Sequence, residues 1–149
     1  MRPSLEDIVH QHRALALGIC VGMQMLACSS EEGIRPGLGW IDGAVKKINP
    51  GRLISATRLP HMGWNNVQPV IKNSLFKNID ASSRFYFLHS YFFHCRQQNN
   101  LLALTDYGGP FASAVHSGNI FGVQFHPEKS HQWGIQLLKN FAEMEISKE

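Results

Sequence analysis

Gly18-Ile19-Cys20-Val21-Gly22-Met23-Gln24 is the stretch from which the rest of the chain is read. It follows the apolar run Ala14 to Ile19 and precedes a helical pattern, which puts a nucleophile on a sharp strand-to-helix turn. Small residues at both glycine positions let the backbone take a strained turn that a Cβ would obstruct. The turn lifts the Cys20 thiol out of the sheet edge. It also aims the thiol at the amides of the following helix N-terminus, where a thiolate is stabilised. A lone cysteine after an apolar strand is more often a buried small hydrophobe. Gly22 argues otherwise, because glycine is costly inside a helix. Its expected reason is close approach of a ligand or of a neighbouring strand.

A second motif, Phe125-His126-Pro127-Glu128, supplies the other members of a Cys-His-Glu triad. The residue before a proline is pushed toward extended geometry. Residues 126 and 128 are therefore predicted to project to one side at strand-like spacing. Glu128 then orients the His126 ring, and His126 activates Cys20. A His-Pro-Glu tripeptide alone is more often a surface loop; its place after the cysteine turn gives it weight.

Composition bounds the rest. The 149 residues, 44% apolar and 17% charged, fit one globular domain spanning 1–149. No apolar run approaches the length of a membrane span, and the N-terminus lacks the apolar core of a signal peptide. The expected setting is cytoplasmic. Cys20, Cys28 and Cys95 show neither metal-ligand spacing nor a disulfide framework, which suits a reducing compartment. The net charge of +3 is scattered, without the basic and aromatic stripe of a nucleic-acid binder. The histidines show no metal-site spacing, so neither a metal nor a cofactor is expected.

Along the chain, Ser4 to Arg13 is predicted as a helix capped by Ser4 and Asp7, with Leu5, Ile8, Val9 and His12 on one face. Val21 to Ser29 is the helix after the turn, and Glu31 to Gly39 is a loop. Ala44 to Ile48 and Ala56 to Leu59 are predicted strands joined by an Asn49-Pro50-Gly51 turn. Pro60 to Asn66 is predicted as an ordered loop, and Phe85 to His94 as one long aromatic strand. Leu101 to Asp106 is a further strand. Phe111 to His116 and Ile120 to Phe125 flank a Ser117-Gly118-Asn119 hairpin turn. Ser130 to Glu143 is a closing amphipathic helix with Ile135, Leu138 and Phe141 on its apolar face. The fold class is α/β, a mixed sheet flanked by helices. Few helices are available to cover two sheet faces.

The two motifs, Gly18 to Gln24 and Gly122-Val123-Gln124-Phe125-His126-Pro127-Glu128-Lys129-Ser130, closely resemble the class I (triad) glutamine amidotransferases. Four further segments narrow the resemblance to glutaminase subunits of imidazole glycerol phosphate synthase. They are Ser30-Glu31-Glu32-Gly33, Pro60-His61-Met62-Gly63-Trp64-Asn65, Phe85 to Tyr91 and Leu137 to Phe141. The resemblance runs from about Ala16 onward.

It implies a flavodoxin-like domain and a glutaminase mechanism. Cys20, His126 and Glu128 are the implied catalytic triad, and the Val21 backbone N–H an oxyanion donor. Gln24, Glu32, His89, Ser90 and Tyr91 match positions that hold the bound glutamine. The implied partner is a (β/α)8-barrel synthase, to which ammonia is channelled within a heterodimer for histidine biosynthesis. The lyase step belongs to that assembly. His61, Met62, Gly63, Trp64 and Tyr86 match positions at that interface. The implied glutaminase is nearly silent until its synthase is loaded.

Family members carry strand–helix units and a Pro-Gly-x-Gly oxyanion loop before the nucleophile turn, and only nineteen residues precede Cys20 here. The expectation is an N-terminally truncated copy, the C-terminal two thirds of the usual domain. An unpaired sheet edge and a reduced rate would follow. Two other functions compete with the leading one. A paralogue could supply amino-sugar synthesis for surface polysaccharides, and a non-catalytic copy could only dock on a synthase. A cysteine hydrolase of peptides or esters has the triad but not the Gln24 and Glu32 pattern.

Overall fold

The computed structural model describes residues 2–49, 51 and 58–145. Helix α1 (Arg2–Glu6) continues into a π-helical turn over Asp7–Gln11. Strand β1 (Ala16–Ile19) leads into the short helix α2 (Val21–Met25). Strands β2 (Ser29–Ser30), β3 (Gly43–Lys47), β4 (His61–Asn66) and β5 (Gln68–Pro69) follow. Next come β6 (Arg84–His89), β7 (Tyr91–Cys95), β8 (Leu101–Asp106), β9 (Pro110–Ser117) and β10 (Ile120–Val123). Helix α3 (His131–Ala142) closes the described part of the chain.

The main sheet is mixed, in the order β1-β10-β9-β7-β3-β2, with β8 on β9 and β5 on β8. Its frame is the β9–β10 hairpin, which turns through Gly118 at φ 58°. Strand β1 then lies parallel to β10, with Ile19 opposite Val123. Among the described residues β1 has no second strand neighbour. Asn119 ties the preceding segment to the hairpin by donating to the Val9 carbonyl at 2.8 Å and the Ala14 carbonyl at 2.6 Å.

Two apolar cores lie on opposite faces of this sheet. Strand β9 serves both, sending Phe111 and Ala114 to one and Ala112 and Val115 to the other. The irregular pairing of β8 with β9 skips Ser113, which restores the alternation. Helix α2 covers one face through Met23 and Leu26. The other face is covered by α3 through Leu137 and by Phe85 and Phe87 of β6. Covering two faces with few helices is thus solved in part by a two-stranded ribbon, β4 against β6.

That ribbon corrects two sequence-based expectations. Pro60 to Asn66 is not a loop: His61–Asn66 pairs antiparallel with β6. Its alternation is inverted for a strand, with polar His61 buried and apolar Met62 and Trp64 exposed, and so it does not read as one. Phe85 to His94 is two strands in two sheets, with the change at Ser90. Apolar residues on both sides of Ser90 hide the break.

Other elements shift by smaller amounts. The first helix starts at Arg2, so Ser4 lies inside it rather than capping it. Of its expected apolar face only Val9 is buried, while Leu5 and Ile8 are exposed. Helix α2 ends at Met25, not Ser29. On α3 the inward residues are Gly134, Leu137 and Asn140, and Ile135 is exposed. Asn140 explains the rotation, since its amide donates to the Leu75 and Lys77 carbonyls at 2.9 and 2.7 Å. The expected strand Ala56 to Leu59 lies outside the described residues apart from Arg58 and Leu59, which are not in a strand. Of the expected turn at 49–51, Pro50 lies outside the described residues; the Gly51 N–H donates to Asn49 Oδ1 at 2.9 Å.

Candidate active site

Cys20 stands where β1 stops and α2 starts, at φ 53° and ψ −107°. A non-glycine residue at positive φ is strained by contact between its Cβ and the backbone. The Cys20 N–H is held by the Val123 carbonyl at 2.8 Å. The close approach that the turn requires lies at Gly18, where a Cβ would stand 2.6 Å from the Gly22 carbonyl carbon and 2.7 Å from Met23 N. A Cβ on Gly22 meets nothing within 4 Å. Position 22 is therefore not forced by a neighbouring strand, which removes one of the two expected reasons for its glycine. The space beside it is open.

Because β1 and β10 run parallel in register, Cys20 and the Gln124–His126 segment leave the sheet at the same end. The His126 N–H donates to the Tyr86 carbonyl at 2.9 Å, which pins this segment to β6. His126 is extended, as expected before a proline. Pro127–Lys129 is one turn of 3-10 helix, not a continued strand. That turn, rather than strand spacing, brings Glu128 Oε1 to 2.5 Å from His126 Nδ1. Ser130 locks it by donating to the His126 carbonyl at 2.6 Å and accepting from the Tyr86 N–H at 3.0 Å.

A cleft of about 280 Å³ opens at Cys20. Val21, Gln24 and Glu32 lie on one side, and Leu88, His89, Ser90 and Tyr91 on the other. The five residues expected to hold glutamine thus all line the cleft. Pro60 and Leu88 line it too; both lie in segments that carry the resemblance, which assigns them no role. The Cys20 thiol lies 3.8 Å from the Leu88 carbonyl. Burial pushes the Cys20 thiol above its ordinary value. The Val21 N–H and the Gln124 amide pull it back, while the carboxylates of Glu128 and Glu32 push it up further. Both carboxylates therefore act on the sulfur through space. Burial alone pushes Cys95 up to about 11.

Gln124 belongs to the site although the sequence reading gives it no role. It is fully buried, and its Nε2 lies 3.6 Å from Cys20 Sγ. The available signal is a polar side chain inside the apolar run Ile120 to Phe125, since buried polar groups are paired. Gln24 turns its amide Nε2 to the Tyr91 carbonyl at 3.2 Å and to Gln124 Oε1 at 3.1 Å.

The expected interface residues divide by the pleat of the ribbon. Met62, Trp64, Tyr86 and Leu88 share the outer face, paired as Met62 with Leu88 and Trp64 with Tyr86. Trp64 also stacks on His131 at 5.3 Å and meets Trp133 edge-on at 6.4 Å. His61 is the correction. Its ring faces inward, is only 3% exposed, and stacks between Phe87 and Tyr107. Gly63 lies on the same inward register as His61.

The family model for glutamine amidotransferase class-I matches residues 6–144. The chain belongs to this family. This class-I amidotransferase chain is 51% identical over 144 residues to the imidazole glycerol phosphate synthase subunit HisH of Bdellovibrio bacteriovorus, covering 97% of this chain and 71% of that protein. It is equally similar to the HisH subunit of Leptospira interrogans, at 51% over the same shares. Among solved structures, a putative GMP synthase subunit protein of Thermoplasma acidophilum superposes with a TM-score of 0.66 at 21% identity. The match covers 93% of the amidotransferase chain and 61% of that structure. A glutamine amidotransferase of Thermotoga maritima gives 0.60 at 18% identity, over 95% and 53%. These distant structures carry the α/β amidotransferase fold. Among the described residues no helix is long and apolar enough to cross a membrane.

Proposed function

We propose that this chain is the glutaminase of an imidazole glycerol phosphate synthase, releasing ammonia for histidine biosynthesis. The observation that carries the reading is that the strained Cys20 turn and the segment bearing the His126–Glu128 couple leave two adjacent parallel strands at the same end. Cys20 Sγ attacks the side-chain amide carbon of glutamine. The oxygen that becomes negative is met by the Val21 N–H, the first amide after the turn. His126 takes the Cys20 thiol proton as the sulfur attacks and gives it to the departing ammonia, leaving a γ-glutamyl thioester on Cys20. It then takes a proton from water, whose attack releases glutamate and restores the thiol. Glu128 fixes which ring nitrogen of His126 carries the proton and offsets its charge.

Glutamine enters the cleft between Gln24 and Glu32 on one side and Leu88 to Tyr91 on the other. Glu32 is exposed and supplies a charge for the α-ammonium group. The partner is a barrel synthase subunit that receives the ammonia directly in a heterodimer. The outer face of the ribbon suits docking, because Trp64 is 45% exposed and Met62 63% exposed on a folded strand. Aromatic anchors of this kind dominate binding energy. The setting is the cytoplasm, where a thiol nucleophile stays reduced.

The test is glutamine hydrolysis by the purified protein with a loaded barrel synthase, together with labelling by a diazoketone analogue of glutamine. Glutamate is expected in amounts equal to the ammonia released plus the ammonia incorporated by the synthase, with label on Cys20 and none on Cys28 or Cys95. Absence of hydrolysis, with Cys20 left unlabelled, sinks the reading in favour of a copy that only docks.

A further inference from the structure

The hydrogen bonds around the nucleophile continue far beyond it. His89 Nδ1 lies 2.7 Å from the Tyr91 carbonyl, which can only accept, so this nitrogen carries the proton. The other nitrogen of His89 then accepts. It lies 2.9 Å from His61 Nδ1, which must donate. His61 Nε2 accepts in turn from Asn65 Nδ2 at 3.2 Å, and the second Asn65 proton goes to the Asp106 carbonyl at 3.0 Å. At the near end, Gln24 Nε2 spends one proton on the Tyr91 carbonyl and the other on Gln124 Oε1. Gln124 Nε2 then points at Cys20 Sγ. Every link has a single direction. Protonation of either imidazole would set two N–H groups head to head. Burial agrees with the neutral state, holding His61 down to about 3 and His89 down to about 4.

We propose that this buried relay positions the Cys20 sulfur, and that Gln124 and His61 are positioning residues of the reaction: Gln124 by donating to the sulfur, and His61 by holding His89 on the Tyr91 carbonyl that anchors Gln24. The role in catalysis rests on Cys20 being the nucleophile of the glutaminase. The geometric argument is that each member has one partner left to it. A fully buried Gln124 has its Oε1 satisfied by Gln24 and its Nε2 aimed at sulfur. Removing a member leaves a buried group unpaired, and the next member is free to turn.

Alkylation of Cys20 by iodoacetamide, followed by mass spectrometry across pH, reads the sulfur without glutamine. It is therefore independent of whether the protein hydrolyses glutamine. Gln124→Leu is expected to move the midpoint of the alkylation profile up by about half a pH unit or more, since an N–H to a thiolate favours the charged form. His61→Phe keeps a ring between Phe87 and Tyr107 but leaves His89 Nε2 without its donor. It is expected to slow alkylation roughly threefold at fixed pH. His61→Asn, which restores an N–H near the Nδ1 position, is expected to recover most of the rate. With the synthase present, both cutting variants should lower kcat more than they raise KM. A folded Gln124→Leu with the parent's profile overturns the proposal. Should that variant fail to fold, the His61 pair decides: His61→Phe with the parent's profile, or His61→Asn no better than His61→Phe, overturns it.

Discussion

Gly18 and Gly22 stand back to back, the missing Cβ of the first only 2.6 Å from the carbonyl oxygen of the second. The contact seats α2 on the end of β1 and holds Cys20 in its strained turn. Gly18→Ala must therefore push backbone against backbone, where nothing can give. It is expected to destabilise the fold by about 1–3 kcal/mol, as overpacking does. Gly22→Ala meets open space and is expected to leave stability within about 1 kcal/mol, helped by alanine's better helix propensity. Urea unfolding of the two variants checks the contrast. Equal stability losses at both positions would contradict it.

Glu128 reaches His126 across a single turn of 3-10 helix, and its side chain is half exposed. Glu128→Gln keeps the shape and removes the charge. The expected result is a fall in kcat of roughly 10²-fold, the scale of one acid–base contribution. The thermal midpoint should hardly move, because an exposed pair adds little stability. Steady-state glutamine hydrolysis with the synthase, beside a thermal melt, separates the two effects.

The His61–His89 pair makes stability fall in acid. Both rings are held below their ordinary value, to about 3 and about 4, first by burial. The charge of His89 lowers His61 further. At His89 the hydrogen bond to the Tyr91 carbonyl raises the value in part, and the charge of His126 lowers it. Below pH about 6.5 the unfolded chain binds protons that the folded chain refuses, so stability rises with pH in that range. The loss should run from about pH 6.5 down to about pH 3, through the lower of the two folded values. Urea midpoints across that window are expected to be less steep in His61→Asn, which removes one of the two titrations. An unchanged slope would assign the acid loss to other groups.

Trp64 stands on the outer face of β4 with Tyr86 beside it and His131 stacked upon it. Trp64→Ala is expected to weaken binding of the barrel synthase by about 2 kcal/mol or more, the scale of an aromatic anchor. Reaction of Cys20 with the diazoketone in the isolated protein should stay near the parent's. Titration calorimetry gives the first quantity and mass spectrometry the second.

The nucleophile turn is legible because its signals are local. A cysteine between glycines, after an apolar run, needs no distant partner to be read, and β1, β9 and β10 follow from short apolar runs and a Gly118 turn. The His126–Glu128 couple is legible as a pair but not as a geometry, because a proline fixes only the residue before it. The ribbon is hidden for a different reason. His61 is buried by partners at positions 87, 89 and 107, and no window of sequence around residue 61 contains them. Gln124 lies inside the His126 motif, yet its role is not legible there. A polar residue in an apolar strand shows that it has partners, not which ones.

Strand β4 carries two different surfaces in six residues, and the register His61 to His89 sets both. Inward lie His61 and Asn65; outward lie Met62 and Trp64. A slip of a single residue along β6 would turn every one of these side chains to the wrong side. Insertions or deletions in this segment therefore carry a penalty that substitutions do not. A change of letter touches one surface, whereas a change of length removes the inner relay and the outer aromatic face together. A substitution such as Trp64→Ala is thus expected to impair one surface, whereas a one-residue insertion within His61–Asn66 is expected to impair both.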